Sequence, residues 1–127
     1  MTKHLLLIDD DKDELDILNA ALEYFPVTSR CTWAKSAEQA LQMLQHLRPD
    51  CILIDMNMPR ANGLECLYSI KQMDALKDIP AFIYSTYIDE HIILQARSMG
   101  AFGCIRKPGH TSSIPDVVQQ IFSCMQV

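Results

Sequence analysis

Cys51-Ile-Leu-Ile-Asp55-Met-Asn57-Met-Pro59 is the stretch that decides the fold. Its first four residues are apolar and too few for a helix, and a continuous apolar run is typical of a strand buried on both faces of a parallel sheet. Residues 4–8, 81–84 and 102–105 are runs of the same kind, each bounded by Asp, Pro, Gly or Ser. The more polar residues 28–33 are rich in β-formers and are predicted to be an edge strand.

Apolar stripes at helical spacing follow each of these runs. They begin at Leu15, Ala37, Leu64, Ile92 and Ile114. Strand and helix thus alternate five times, which favours right-handed crossovers and helices on both faces of one sheet. The sequence therefore predicts an α/β fold, a doubly wound five-stranded parallel sheet with five helices.

Length and composition set limits on function. The chain has 127 residues, 49% of them hydrophobic, and a net charge of −5. This size favours one domain. Only 11 Lys and Arg residues are present, which argues against direct binding of nucleic acid. No stretch has the pattern of a signal peptide or of a membrane span, so we expect a cytoplasmic protein without a membrane partner.

The five cysteines are scattered and form no C-x-x-C pair. An odd number of cysteines excludes a complete disulfide framework, and reduced, mostly buried thiols are typical of a cytoplasmic protein. We expect these thiols to pack as small apolar side chains, with Cys104 and Cys124 as the candidates for a redox role.

Polar side chains follow four of the predicted strands. Asp9 and Asp10 follow the first, Asp55 follows the third, Ser85 the fourth and Lys107 the fifth. In open parallel sheets, ligands bind at the carboxyl ends of the strands, where these residues are placed. The sequence therefore predicts that three carboxylates, a hydroxyl and an ammonium meet at one edge. Next to them, Asp11 is predicted to cap the first helix, and Asp13, Glu14 and Asp16 to form an exposed helix face.

The negative charge of such a cluster must be balanced by cations, because two carboxylates ~4 Å apart repel by about 4 kcal/mol at an effective dielectric constant near 20. Lys107 and Mg²⁺ together would balance Asp9, Asp10 and Asp55, and a hard cation prefers oxygen ligands. An Asp carboxylate can also accept a phosphoryl group, a transfer that depends on positioning and charge stabilisation. Asp55 is the predicted acceptor, because it ends the central strand and faces Ser85 and Lys107.

These residues carry a family resemblance. Leu6-Leu-Ile-Asp9-Asp10-Asp11, the 51–59 stretch with Gly63, Ile79-Pro-Ala-Phe-Ile-Tyr-Ser85 and Ile105-Arg-Lys107-Pro108 resemble the motifs of the receiver domain of two-component response regulators. Each motif is weak alone, but all four in order, each after its own strand, are specific. The resemblance covers nearly the whole chain. It implies the flavodoxin-like strand order 2-1-3-4-5 and a single receiver domain over residues 1–127 without an output domain, as in chemotaxis or relay regulators.

The resemblance also implies roles for individual residues. Asp55 is the phosphoacceptor, Ser85 hydrogen-bonds the phosphoryl group and reorients on activation, and Lys107 pairs with that group. The implied Mg²⁺ ligands are Asp10 and Asp55 directly, the backbone carbonyl of Asn57, and Asp9 through water. The implied phosphodonor is a sensor histidine kinase or a histidine phosphotransfer protein. An unknown downstream protein is expected on the face of the fourth helix, fifth strand and fifth helix.

Three positions depart from the family pattern. Cys104 stands three residues before Lys107, where receivers usually carry an aromatic switch residue, so the resemblance does not imply coupling through a swinging ring at this position. Thr86 occupies a position that is usually very small, and Tyr87 a position associated with the rate of dephosphorylation. Because Thr86 and Tyr87 would crowd the pocket, we predict a relatively long-lived phosphoryl group on Asp55.

Other functions remain as alternatives. A phosphatase or phosphotransferase with an aspartyl nucleophile typically has a second carboxylate two residues later, where this chain has Asn57. A phosphorylation-independent interaction module would be indicated by loss of an Asp, Ser or Lys from the site, and none is lost. A flavin-binding protein would need a Ser/Thr/Gly-rich phosphate loop after the first strand. We expect a switch that reacts only on itself rather than a conventional enzyme.

Overall fold

Strands and helices alternate along the chain in the computed structural model, which describes residues 2–25, 28–108 and 114–125. The strands are β1 (Lys3–Ile8), β2 (Ser29–Ala34), β3 (Cys51–Ile54), β4 (Ala81–Ser85) and β5 (Gly103–Arg106). The helices are α1 (Asp13–Leu22), α2 (Ala37–Met43), α3 (Gly63–Lys71), α4 (Glu90–Ser98) and α5 (Ile114–Ser123). Among these residues, no helix has the length and apolar character needed to cross a membrane.

The strands form one parallel sheet in the order β2-β1-β3-β4-β5. This arrangement confirms the predicted fold class and strand order, and it places the polar β2 at an edge. The fifth strand begins at Gly103, one residue later than predicted. Phe102 precedes it with its ring tilted against Phe82 at 5.3 Å, while its backbone N–H donates to the carbonyl of Ala81.

Alternate side chains of the central strands enter two separate cores. Leu6 and Ile8 of β1 pack on the side of α2 and α3, whereas Leu5 and Leu7 pack on the side of α1 and α5. All four residues of β3 are buried, because both faces of this strand are covered. This two-sided burial explains why the strands lack the polar–apolar alternation of half-exposed strands.

A tight connection joins β3 to α3. Asn62 caps α3 by accepting from the backbone N–H of Glu65 at 3.0 Å, and Glu65 accepts from that of Asn62 at 3.1 Å. Gly63 donates its N–H to the carbonyl of Met56 at 2.9 Å. A Cβ at position 63 would lie 2.5 Å from the carbonyl oxygen of Asp55, closer than real Cβ contacts allow. The absence of a side chain at Gly63 thus lets α3 pack directly on the loop that carries Asp55.

Candidate functional site

Three carboxylates meet at the carboxyl edge of the sheet. Asp9 follows β1 and is held there by its N–H, which donates to the carbonyl of Ala34 at 3.0 Å. Asp55 follows β3, and its N–H donates to the carbonyl of Ile8 at 2.8 Å. Asp9, Asp10 and Asp55 each offer a carboxylate oxygen within 4.8 Å of the other two. The sheet hydrogen bonding therefore continues past the strands and fixes the backbone of both buried carboxylates, whereas Asp10 stays exposed.

Lys107 lies among these carboxylates. Its ammonium donates to Oδ2 of Asp9 at 2.7 Å and lies 3.2 Å from Oδ1 of Asp55, with only 8% of the side chain exposed. Burial acts to lower the pKa of Lys107, but the hydrogen bond to Asp9 and the neighbouring carboxylates outweigh it and raise the pKa. Lys107 is therefore a permanent positive charge between two buried acids.

The carboxyl group of Asp55 has a raised pKa, chiefly because burial disfavours its charged form. The ammonium of Lys107 opposes this rise, and the charge of Asp9 adds to it. Asp55 thus combines a desolvated oxygen with an adjacent cation, an environment in which negative charge added at the carboxylate would be stabilised by Lys107.

Asp9 has a supporting place in the cluster. Its Oδ2 accepts from Lys107, and its Oδ1 accepts from the N–H of Asp11 at 3.0 Å. Asp11 in turn accepts from the N–H of Asp13 at 3.0 Å at the start of α1. Both oxygens of Asp9 are therefore engaged within the protein. Asp11 accepts from the first residue of α1, but the N-cap position itself is Lys12, which makes no side-chain cap hydrogen bond.

Glu14 belongs to the site, and the prediction that it lies on an exposed helix face is wrong. Its Oε1 lies 3.7 Å from the ammonium of Lys107, and 16% of the side chain is exposed. Its Oε2 is buried and has no hydrogen-bond partner among the residues that the structure describes. Burial raises the pKa of this carboxyl group, and Lys107 partly offsets the rise. The sequence does contain a signal for this burial. Glu14 stands one helical turn before the buried Leu18, so both residues lie on the inward face of α1.

The remaining predicted residues surround this cluster. Ser85 is buried at the end of β4, and its carbonyl accepts from the N–H of Lys107 at 3.0 Å, which brings both residues to the same edge. Asn57 is exposed in the loop after β3. The predicted residues therefore meet at one edge of the sheet. The carboxylates of Asp9, Asp10 and Asp55 are grouped together, Lys107 contacts Asp9 and Asp55, and Ser85 ends the neighbouring strand.

The three residues that depart from the family pattern lie at different depths. Thr86 and Tyr87 are exposed after β4, and the hydroxyl of Tyr87 donates to Oδ2 of Asp89 at 3.1 Å. Asp89 also caps α4 by accepting from the N–H of Ile92 at 2.8 Å. Cys104 is half-buried in β5 beside Ile83. Tyr87 is thus tied to the start of α4.

An open cleft of about 580 Å³ adjoins Asp10. Its walls come from the start of α2 and the loop after β3, with Lys35 and Arg60 as the cationic residues. The cleft gives a path from solvent to the exposed carboxylate of the cluster.

Comparison with known proteins identifies the family of this chain. The family described as "Response regulator receiver domain" matches residues 5–119. The chain belongs to the response regulator receiver domains. This confirms the resemblance predicted from the four motifs.

Similar proteins include a transcriptional regulator and two response regulators of known structure. The transcriptional regulatory protein KdpE of Staphylococcus aureus is 34% identical over 110 residues, which cover 85% of this chain and 45% of KdpE. The phosphorylated cyanobacterial phytochrome response regulator RcpA is 27% identical with a TM-score of 0.85, over 99% of this chain and 95% of RcpA. The Mn²⁺-bound form of response regulator Rcp1 is 26% identical with a TM-score of 0.81, over 95% and 92% of the two chains. This receiver domain spans less than half the length of the curated relatives it matches.

Proposed function

We propose that this receiver domain is a phosphorylation switch in which Asp55 accepts a phosphoryl group in the presence of Mg²⁺. The donor is a histidine kinase or a histidine phosphotransfer protein. The observation that carries the proposal is the buried carboxylate of Asp55, 3.2 Å from the ammonium of Lys107 and beside two further carboxylates. A buried acid cluster with one central cation is costly to maintain without a task.

The transfer assigns a role to each side chain. A carboxylate oxygen of Asp55 attacks phosphorus, the phosphorus–nitrogen bond of the phosphohistidine breaks, and the leaving imidazole takes up a proton. Lys107 neutralises charge on the phosphoryl oxygens, and the hydroxyl of Ser85 donates a hydrogen bond to one of them. Asp9 holds Lys107 in position through the 2.7 Å hydrogen bond.

The same carboxylates suit a hard divalent cation. Asp10 and Asp55 would hold Mg²⁺ directly, with the backbone carbonyl of Asn57, and Asp9 would act through water because both of its oxygens already have protein partners. The all-oxygen donor set within 4.8 Å is the kind that Mg²⁺ prefers. When bound, the ion would supply positive charge to the phosphoryl oxygens. The Mn²⁺-bound Rcp1 and the phosphorylated RcpA support this assignment by similarity.

A gain in mass tests the proposed function. With phosphoramidate and Mg²⁺ we expect the chain to gain about 80 Da, the mass of one phosphoryl group, on intact mass spectrometry. A chelator should abolish the gain, and so should Asp55→Asn, which keeps the shape but removes the nucleophilic carboxylate. Failure of the wild-type chain to gain this mass, or an undiminished gain in Asp55→Asn, would refute the phosphoacceptor role.

We place the downstream partner on the face formed by α4, β5 and α5. Leu94 of α4 and Phe102 before β5 are large apolar side chains that are 62% and 57% exposed. Arg106 of β5 donates to the carbonyl of Ile88 at 2.7 Å, which ties this strand to the loop between Ser85 and α4. A change at Ser85 and Lys107 therefore has a direct route to this face, although Cys104 replaces the usual aromatic residue.

The phosphoryl group on Asp55 is expected to be long-lived. Thr86 and Tyr87 directly follow Ser85, and we propose that their bulk restricts the access of water to Asp55 more than small side chains would. The double variant Thr86→Ala, Tyr87→Ala should lose its phosphoryl group about tenfold faster, as expected for a barrier ~1.4 kcal/mol lower. The decay of the added mass after donor removal measures this rate, and Tyr68→Ala, at an exposed tyrosine of α3, is the matched control. A decay in the double variant no faster than in the wild type would rule out the crowding explanation.

A further inference from the structure

Two thiols meet far from the phosphoacceptor site. Cys51 is the first residue of β3, about 13 Å along the strand from Asp55 at 3.3 Å per residue. Cys124 follows the end of α5, and its Sγ lies 4.0 Å from Sγ of Cys51. Cys51 is fully buried, and Cys124 is half-buried. The pair thus combines one fully buried cysteine with one that is partly exposed.

The fold brings these two sulfurs together and keeps Cys51 apart from the other three cysteines. Cys51 lies in the core between the sheet and α5, and Cys124 packs at the margin of that core. Cys66 and Cys104 belong to the opposite core, which the sheet separates from this one. Cys31 is on β2, two strands from Cys51 and thus about 9.6 Å away, beyond the reach of a disulfide.

The two thiols differ in reactivity. The hydrogen bond with Cys51 lowers the pKa of Cys124. The same bond, together with burial, raises the pKa of Cys51. Cys124 therefore ionises first and is the more exposed of the two residues, which are the properties of an attacking thiol.

We infer that Cys51 and Cys124 are a peroxide-sensitive dithiol that closes to an intramolecular disulfide. The thiolate of Cys124 attacks an oxygen of hydrogen peroxide, the oxygen–oxygen bond breaks, and the departing hydroxide takes up a proton to leave water. Sγ of Cys51 then attacks the sulfur of the resulting sulfenic acid, the sulfur–oxygen bond breaks, and a second water leaves with the proton of Cys51. Two thiols are oxidised and one peroxide is reduced, and a thiol reductant reverses the change.

Closure would fasten α5 to the sheet. The sulfurs must approach from 4.0 Å to the bond length of about 2.05 Å. The cross-link would join residues 73 positions apart, so it would restrict the unfolded chain strongly. We expect the melting temperature to rise by about 10 °C on oxidation. Since α5 also forms part of the proposed partner face, the disulfide would act on that face independently of phosphorylation.

Counting thiols after oxidation tests this inference. The full chain is treated with hydrogen peroxide, quenched, denatured and alkylated, and intact mass spectrometry counts the alkyl groups. The wild type should fall from five alkylated cysteines to three, with a linked peptide pair containing Cys51 and Cys124. Cys124→Ser should lose none, whereas the matched control Cys104→Ser should still lose two. The rise in melting temperature should be reversed by dithiothreitol and be missing in Cys124→Ser.

Several results would contradict the inference that Cys51 and Cys124 form a disulfide on oxidation. They are five alkylated cysteines in the oxidised wild type, an unresolved sulfenic or sulfinic acid on Cys124, a disulfide between any other pair, or loss of two thiols in Cys124→Ser. Cys51→Ala provides a second variant that removes the resolving thiol without adding a polar group to the core. No phosphoryl donor is used, so the outcome does not depend on the proposed phosphotransfer.

Discussion

Replacement of Lys107 by Met is expected to lower the free energy of unfolding by about 3 kcal/mol in the absence of divalent cations. The side chain of Lys107 is 8% exposed, and its ammonium lies within 4.0 Å of carboxylate oxygens of Asp9, Asp55 and Glu14. Met preserves much of the apolar stem but leaves these carboxylates facing one another without a cation. Protonation of Asp55 and Glu14, whose pKa values burial already raises, would relieve part of the repulsion.

Urea unfolding of Lys107→Met beside Lys77→Met measures this effect. Lys77 also pairs with a carboxylate, Asp74 at 3.4 Å, but it is 57% exposed. We expect its replacement to cost less than about 0.5 kcal/mol, as for other exposed ion pairs. Mg²⁺ should restore more stability to Lys107→Met than to the wild type, because the ion would replace the missing positive charge. Equal losses in the two variants would show that Lys107 does not hold the acid cluster together.

Substitution of Gly63 by Ala is expected to lower the free energy of unfolding by about 2–3 kcal/mol. The new Cβ would lie 2.5 Å from the carbonyl oxygen of Asp55 and 2.9 Å from Cα of Met56. Both are backbone atoms, so either α3 or the Asp55 loop must shift. The better helix propensity of Ala offsets only part of this cost, up to about 1 kcal/mol.

Gly103→Ala is the matched control for this substitution. A Cβ at position 103 would meet the Phe82 ring at 3.6 Å, an ordinary contact. We expect this variant to lose less than about 1 kcal/mol in the same urea unfolding, and to gain the phosphoryl mass at the wild-type rate. Gly63→Ala should also be phosphorylated more slowly, since its clash involves the backbone of Asp55. A Gly63→Ala chain as stable as Gly103→Ala would contradict the close packing of α3 on this loop.

Burial on both faces made the fold predictable from the sequence. The run at Cys51–Ile54 matches β3 residue for residue, because each of its side chains enters one of the two cores. The start of β5 was less predictable. Phe102 is apolar like the strand that follows, yet its ring covers Phe82 from outside the sheet, and apolar character alone does not distinguish these positions.

The prediction for Glu14 was wrong because it was based on the negative charge of the residue, whereas the helical spacing of Glu14 from Leu18 indicates the buried face of α1. An acid in a row of acids suggests an exposed face, but the position one turn before Leu18 places Glu14 beside Lys107. The contact between Cys51 and Cys124 had no local signal, because the two residues are 73 positions apart. Such pairings depend on how α5 docks on the sheet, and hydrophobic periodicity does not encode that detail.

The most direct test of the proposed function is to identify which aspartate carries the phosphoryl group. The wild-type chain is treated with phosphoramidate and Mg²⁺, then reduced with borohydride, which converts a phosphorylated aspartate into homoserine, and the peptides are sequenced by mass spectrometry. The proposed function predicts homoserine at position 55 and unchanged Asp9 and Asp10. Homoserine at Asp9 or Asp10, or no conversion at Asp55, would contradict it.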